Sequence, residues 1–190
     1  MNPSLVGSEM CIRDRVLTGS SRMQERPIKI LVDALRSIGA SIKYEKKQGY
    51  PPLRIKGKKL TGGIISLPAD ISSQYISALV MLGSVLEWGV RLNLIGRITS
   101  IPYINMTLNL LKSIGVKTEF KGQSISVENT IIPKTIIQRI ESDWSSASYF
   151  FSIAALADQA KIYLSSYKSK SLQGDSILRI IYKELGVNSY

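Results

Sequence analysis

Two adjacent serines and a glutamine stand immediately before an apolar run near the middle of the chain. The run follows Ser72, Ser73 and Gln74, and its residues Ile76 and Val80 are one helical turn apart. A serine at this position is typical of a helix N-cap, because its hydroxyl accepts a hydrogen bond from an otherwise unpaired backbone N–H. The N–H groups and partial positive charge of a helix start also favour an anion. The pattern therefore indicates either a phosphate site, with two hydroxyls and an amide, or an ordinary capped helix.

The titratable side chains restrict the chemistry that this chain can perform. The sequence has no histidine and one cysteine, Cys11, among 190 residues. Ser-His-Asp catalysis, Cys-His catalysis and most zinc sites are therefore excluded within this chain, and no internal disulfide can form. Any general acid–base catalysis within this chain would use lysine, aspartate, glutamate or tyrosine.

The chain is basic, with 25 Lys and Arg residues against 14 Asp and Glu residues and a formal net charge of +11. This balance favours anionic partners, either nucleic acid or small phosphorylated or carboxylated substrates. The densest basic group, Lys56, Lys58 and Lys59, has few aromatic neighbours for stacking on single strands. We see no apolar run near the ~18 residues of a membrane span and no secretory signal, so we expect a cytoplasmic protein.

Apolar periodicity and glycine or proline punctuation divide the chain into short strands and helices. Strands are predicted at 16–19, 40–44, 53–57, 62–67, 89–96, 116–120, 124–127, 136–140 and 160–164. Helices are predicted after 20–27, at 72, at 100, at 143 and after 172–175. Pro27 suits a first helical turn. In the helix that opens at Ser100, we expect Met106, Leu110 and Leu111 to face the core.

An internal repeat organises these elements. Residues 72–79 align with 145–152, and Gly39, Gly115 and Gly186 end similar segments at spacings of 76 (115 − 39) and 71 (186 − 115) positions. This period is too long for a usual solenoid and indicates a β-α-β-α-β-β unit, present as a half, a whole and most of another. Residues 1–15 join no recognisable element, so we set them aside as a non-native or disordered extension. We infer a fragment of a longer protein.

Short sequence motifs, or words, occur in a fixed order from about Val16 to the C-terminus, without a large gap. They lie at 17–19, 22–23, 25–28, 31–36, 49–53, 72–74, 100, 102–103, 107–108, 143, 145–150 and 171–175. Each word is weak alone, but in this number and order they resemble the enolpyruvylshikimate-phosphate synthase family.

The resemblance implies an α/β (α+β) fold of two lobes, an inside-out α/β barrel of repeated β-α-β-α-β-β units that is incomplete here. Residues 16–139 would form most of one lobe and residues 140–190 the start of the other. Family members transfer the enolpyruvyl group of phosphoenolpyruvate to shikimate 3-phosphate, on the way to chorismate and the aromatic amino acids. The implied reaction needs no metal or organic cofactor. The implied partners are the two substrates, without nucleic acid or membrane, and the complete protein would be a monomer.

The same resemblance implies the site residues. Phosphoenolpyruvate would be bound by Arg26 and Gln74, and shikimate 3-phosphate by Ser72, Ser73, Gln74, Ser100 and Tyr103. The physics agrees for Arg26, because a guanidinium clamps a carboxylate or phosphate through paired hydrogen bonds. The family's catalytic aspartate, its N-terminal lysine and its C-terminal lysine, glutamate and arginines lie outside this chain. We therefore assign no catalytic residue and expect the chain alone to be inactive.

Three alternatives stay open. The enolpyruvyl transferase that acts on UDP-N-acetylglucosamine has the same fold, although the words at 25–28 and 72–74 argue against it. A basic nucleic-acid-binding module is indicated by charge alone and predicts a steep loss of affinity with salt. A non-enzymatic repeat protein predicts no small-molecule ligand.

Overall fold

The computed structural model describes residues 14–70, 72–131 and 135–190, which form two β-sheets and six α-helices joined by short connections. The strands are β1 (Asp14–Leu17), β2 (Ser41–Tyr44), β3 (Leu53–Lys56), β4 (Gly63–Pro68), β5 (Val90–Ile95), β6 (Thr118–Lys121) and β7 (Ser124–Val127). The helices are α1 (Ser21–Gln24), α2 (Lys29–Ser37), α3 (Ser73–Gly83), α4 (Ile101–Ser113), α5 (Trp144–Leu156) and α6 (Leu178–Glu184), and a 3₁₀ turn spans Gly174–Ile177.

β1 begins two residues earlier than expected. Asp14 and Arg15, which we set aside with the N-terminal extension, pair with Lys56 and Ile55 of β3. The rest of that extension, residues 1–13, lies outside the described residues.

The first sheet has the order β1-β3-β2, and its neighbouring strands are antiparallel. Helix α2 covers it, with Val32 buried against Ile42 and Leu53. Pro27 was expected in the first turn of α2 but precedes the helix, whose N-cap is Ile28. The Ile28 N–H donates to the Gly49 carbonyl at 2.8 Å, which fixes this residue in a non-helical conformation and delays the helix start.

The second sheet has the order β4-β5-β7-β6 and holds the main core. β4 and β5 run parallel and are connected through α3, whereas β7 is antiparallel to both β5 and β6. In chain order these elements are β4-α3-β5-α4-β6-β7, which is one whole copy of the predicted repeat unit. Ile76 and Leu79 of α3 are fully buried with Ile65, Leu92 and Ile125 of the sheet, so the predicted apolar face of α3 is confirmed.

The predicted core face of α4 is partly wrong. The buried residues are Ile104, Leu108 and Leu111, while Met106 is only partly buried and Leu110 is 42% exposed. Both sets fit helical spacing, and the sheet beneath α4 selects the face that begins at Ile104.

The C-terminal residues form a small third cluster. Trp144, Ala147 and Phe151 of α5 are buried, with Tyr167 and Tyr182 packed against them. The predicted capped helix at Asp143 is confirmed.

The strands predicted at 136–140 and 160–164 are wrong, since neither stretch is in a strand. Between the segments that follow these two stretches, the Ser142 N–H donates to the Ser166 carbonyl at 2.8 Å. Ile137 and Tyr163 are 95% and 82% exposed. An apolar stretch of about five residues without a packed layer beneath it does not hold a strand.

The repeat glycines have one conformation in common. Gly39, Gly115 and Gly186 follow α2, α4 and α6 with φ values of 97°, 93° and 85°. Glycine adopts this left-handed geometry without a Cβ penalty and ends a helix there. None of the described helices is long and apolar enough to cross a membrane.

Candidate functional site

The candidate site lies where the parallel strands β4 and β5 end. Their register runs from Gly63 opposite Val90 to Pro68 opposite Ile95, so their carboxyl ends meet at one edge of the sheet. The Ala69 N–H donates to the Ile95 carbonyl at 2.8 Å, and the Thr99 N–H donates to the Ala69 carbonyl at 3.4 Å. The segments that lead to α3 and α4 therefore touch, and both helices start at this edge.

The start of α3 is formed by the predicted serines. Ser72 is the N-cap, and its Oγ accepts from the Gln74 N–H at 3.3 Å. Ser73 is half-buried, while Ser72 and Gln74 are exposed. The helix is held in place from below because Ile76 and Val80 are buried in the main core. The sequence prediction of an N-cap at this position is confirmed, and polar side chains remain open to solvent around it.

The start of α4 is strained at Ser100. This N-cap has φ 55° and ψ 34°, the left-handed region, and its side chain makes no capping hydrogen bond. Few residues other than glycine, asparagine and aspartate adopt this conformation, and such strain is concentrated at functional sites. The Ser77 and Thr107 hydroxyls, 2.9 Å apart, join α3 to α4 one turn farther along.

Arg26 lies in the exposed connection between α1 and α2. The Tyr75 hydroxyl donates to the Pro27 carbonyl at 2.7 Å, which ties this connection to the first turn of α3. Within the described ranges, no carboxylate forms an ion pair with Arg26. The connection that carries Arg26 is thus tied to α3, and the Arg26 side chain is exposed.

Tyr103 points to a partner that the sequence did not predict. Its hydroxyl donates to Asp175 Oδ2 at 2.7 Å, and 39% of the residue is exposed. This hydrogen bond, and secondly burial, raises the pKa of the Tyr103 hydroxyl above its ordinary value. The residue lines an open cleft of about 350 Å³ with Met106, Glu141, Asp143, Ser145, Gln173 and Asp175.

A network of hydrogen bonds at the start of α5 fixes the side chains on the side of the cleft away from Tyr103. Glu141 Oε1 accepts from Trp144 Nε1 at 3.1 Å and from Gln173 Nε2 at 3.0 Å, and it also accepts from the Ser171 hydroxyl. Gln173 Oε1 in turn accepts from the Trp144 backbone N–H at 2.9 Å. The word at 171–175 was noticed in the sequence, but nothing in its spacing showed that it would meet residues 141–144 or Tyr103.

The starts of α3 and α5 occupy equivalent positions in the repeat, but their electrostatics differ. At α5 the Asp143 carboxylate accepts from the Ser145 N–H at 2.9 Å and from the Ser145 and Ser146 hydroxyls at 2.7 and 3.3 Å. Hydrogen bonds from Ser145 therefore lower the pKa of Asp143. At α3 the cap is a neutral hydroxyl. An added anion is repelled at the start of α5 and favoured at the start of α3.

The described residues include no group of three Cys, Asp or Glu side chains arranged to hold a metal ion. The groups that converge at the sheet edge are serine hydroxyls and the Gln74 amide, which can donate hydrogen bonds to anions. The sequence-predicted residues Ser72, Ser73, Gln74 and Ser100 are brought together there, with Arg26 tethered beside them.

Comparison with known proteins identifies the family of the chain. The family model described as EPSP synthase (3-phosphoshikimate 1-carboxyvinyltransferase) matches residues 5–189. The chain is 50% identical over 175 residues to the 3-phosphoshikimate 1-carboxyvinyltransferase of Bacteroides fragilis strain YCH46, covering 90% of this chain and 42% of the relative. It is 39% identical to the enzyme of that name from Actinobacillus pleuropneumoniae serotype 5b, covering 90% and 40%.

A solved structure shows the same fold. An EPSP synthase from Acinetobacter baumannii superposes with a TM-score of 0.60 at 27% identity, over 77% of this chain and 32% of that one. The chain thus spans about 40% of the length of the relatives it matches. The mixed α/β architecture is part of the fold seen in that structure, and the match to the family model covers nearly the whole sequence. The chain belongs to the EPSP synthase (3-phosphoshikimate 1-carboxyvinyltransferase) family.

Proposed function

We propose that this chain is part of an enzyme that transfers the enolpyruvyl group of phosphoenolpyruvate to a hydroxyl of shikimate 3-phosphate. The transfer proceeds by addition, through a tetrahedral ketal, and then by elimination of phosphate. The complete enzyme is proposed to act as a cytoplasmic monomer. The relatives described above are named for this reaction, which favours it over transfer to UDP-N-acetylglucosamine and over nucleic-acid binding.

One observation carries the proposal: the N-termini of α3 and α4 converge at the carboxyl edge of β4 and β5. Ser72, Ser73 and Ser100 stand at these two helix starts. Two helix N-termini with neutral hydroxyl groups form a binding site for a phosphate, which accepts several hydrogen bonds and is attracted by both dipoles. We assign the phosphate of shikimate 3-phosphate to this site.

Gln74 and Arg26 complete the assignment. Gln74 follows the serines on the first turn of α3 and is exposed, so its amide can reach both substrates. Arg26 lies in the connection that Tyr75 ties to α3, and a guanidinium suits the carboxylate or phosphate of phosphoenolpyruvate. Tyr103, three residues after Ser100, is assigned to the shikimate ring. None of these groups is proposed to transfer a proton, and we expect the 190-residue chain by itself not to turn over.

The test is a calorimetric titration of the 190-residue chain with shikimate 3-phosphate, repeated on the Ser72→Ala/Ser73→Ala variant. Hydrogen bonds to a charged phosphate are strong, so we expect the double variant to bind at least about tenfold more weakly. The matched control is Ser145→Ala/Ser146→Ala, because these serines occupy the equivalent helix start, where Asp143 repels a phosphate. The control is expected to bind as the unmodified chain does.

Equal loss of affinity in both double variants, or affinity no greater than for inorganic phosphate, would contradict the proposal. Circular dichroism melts of all three proteins show whether each is folded under the conditions of the titration.

A further inference from the structure

Tyr103 and Asp175 are joined across 72 positions of the sequence. The Tyr103 hydroxyl, on the first turn of α4, donates to Asp175 Oδ2 in the 3₁₀ turn at 2.7 Å. A tyrosine ring rotates about two side-chain bonds, and a hydrogen bond from its far end to a fixed acceptor removes most of that freedom. The contact therefore determines where the ring stands relative to Ser100.

The acceptor is itself fixed by its neighbours. A Cβ added at Gly174 would lie 3.2 Å from Pro102 Cβ, so the turn packs directly against the start of α4. On the other side of Gly174, the Gln173 amide donates to the Ser142 carbonyl at 2.9 Å and accepts from the Trp144 N–H at 2.9 Å. Asp175 therefore lies two residues after Gln173, whose side chain is anchored by hydrogen bonds. The turn holds the Asp175 carboxylate in place, so it does not move with the Tyr103 ring.

We infer that Asp175 is a positioning residue, whose carboxylate holds the Tyr103 ring in the orientation that receives the shikimate ring. The inference rests on the proposed function, because it assigns the ring to that substrate. Asp175 does not contact the substrate and acts through Tyr103.

The charge of the cleft explains why Asp175 positions Tyr103 and does not bind the substrate itself. The cleft behind Tyr103 is lined by Glu141, Asp143 and Asp175, and three carboxylates repel a phosphorylated substrate. The serines at the start of α3 attract the phosphorylated substrate. The hydrogen bond to Asp175, which only the neutral phenol can donate, raises the pKa of Tyr103 and agrees with this arrangement.

The experiment compares shikimate 3-phosphate binding by the 190-residue chain with that of four single variants and the Tyr103→Phe/Asp175→Ala double variant. Asp175→Ala removes the acceptor, Asp175→Asn keeps an acceptor oxygen without the charge, and Tyr103→Phe removes the donor. The fourth, Asp158→Ala, is the control, because Asp158 is an exposed aspartate after α5. Affinity is measured by calorimetry, and the pKa of Tyr103 is followed by NMR of ¹³Cζ-labelled tyrosine, assigned by the Tyr103→Phe spectrum.

We expect Asp175→Ala and Tyr103→Phe each to bind about fivefold more weakly, which is the usual effect of one hydrogen bond. The Tyr103→Phe/Asp175→Ala double variant is expected to be no weaker than either single variant, because both remove the same contact. Asp175→Asn should retain most of the affinity. In Asp175→Ala the pKa of Tyr103 falls towards its ordinary value, and in Asp175→Asn it falls less because the hydrogen bond is kept. Asp158→Ala changes neither quantity.

The inference is overturned if the chain binds shikimate 3-phosphate and Asp175→Ala binds equally well, which leaves the proposed function intact. Additive losses in the double variant overturn it as well. If the unmodified chain binds the substrate no better than inorganic phosphate, the proposed function fails and the inference fails with it. Should Asp175→Ala lose its cooperative melt, Tyr103→Phe decides alone, since it breaks the same hydrogen bond and keeps the carboxylate.

Discussion

The Tyr75 hydroxyl donates a 2.7 Å hydrogen bond to the carbonyl of Pro27, 48 positions earlier in the chain. This bond connects the two sheets' helical layers, because Tyr75 lies on α3 and Pro27 immediately precedes the N-cap of α2. It also holds the Arg26 connection against the serine-rich start of α3.

Replacement of Tyr75 by phenylalanine removes this bond and leaves the ring in place. We expect Tyr75→Phe to lower the free energy of unfolding by about 1 kcal/mol, the usual net value of one hydrogen bond. Urea denaturation of the chain measures the change. Tyr163→Phe is the control, because Tyr163 is 82% exposed and its loss should have no measurable effect. Equal stability of Tyr75→Phe and the unmodified chain would show that water replaces the Pro27 contact without cost.

The left-handed conformation of Ser100 predicts opposite changes in stability and binding. Ser100→Gly relieves a backbone penalty of about 1 kcal/mol, because glycine has no Cβ, and it also deletes the proposed phosphate ligand. We expect a more stable chain that binds shikimate 3-phosphate about fivefold more weakly. Ser100→Ala is the matched variant, since it loses the hydroxyl but keeps the Cβ. It should bind as weakly as Ser100→Gly without the gain in stability, and a more stable Ser100→Ala would be evidence against strain at this residue.

The Asp143 cap predicts a pH-dependent contribution to stability. Hydrogen bonds from the Ser145 side chain and backbone lower the pKa of Asp143 in the folded chain. A group with a lowered folded pKa stabilises the fold above its unfolded pKa, near 4, and this contribution is lost as the pH falls through the folded value. Asp143→Ala should therefore be less stable than the unmodified chain at pH 7, and the difference should shrink below about pH 4.

Urea denaturation at several pH values measures that difference. Asp143→Asn keeps an oxygen that can accept from Ser145, so it should lose less stability at pH 7 than Asp143→Ala. A difference between Asp143→Ala and the unmodified chain that is independent of pH would mean that packing, and not the carboxylate charge, holds the start of α5.

The chain by itself is expected to release no phosphate from phosphoenolpyruvate and shikimate 3-phosphate above the rate in buffer. Its proposed site residues bind and orient substrates, and none of them is assigned a proton transfer. A phosphate-release assay tests this, with the Bacteroides fragilis relative as the positive control. Product formed by the purified chain, and lost in Ser72→Ala/Ser73→Ala, would show that proton-transfer groups are present after all.

Local sequence patterns predicted the helix cap at the candidate site better than they predicted the packing around it. The N-cap at Ser72 follows from two serines before an apolar run, because capping is a contact over two or three residues. The meeting of the α3 and α4 starts depends on the parallel pairing of β4 and β5. It was expected only through the resemblance, which grouped Ser100 with Ser72 and Ser73.

Long-range packing could not be predicted in the same way. Two faces of α4 fit helical spacing, and the buried one, containing Ile104 and Leu108, is selected by a sheet that the periodicity does not describe. The isoleucine-rich stretch at 136–140 lacks a strand partner among the described residues. The Tyr103–Asp175 bond joins residues whose spacing carries no signal.

The parallel arrangement of α3 and α4 has a thermodynamic consequence. Neighbouring helices that start at the same sheet edge place two like partial charges, each about half an elementary charge, side by side. The Ser77–Thr107 contact holds them together despite that repulsion. We expect an anion bound at this edge to offset the repulsion, so that the melting temperature of the chain rises with the concentration of an anion that fits.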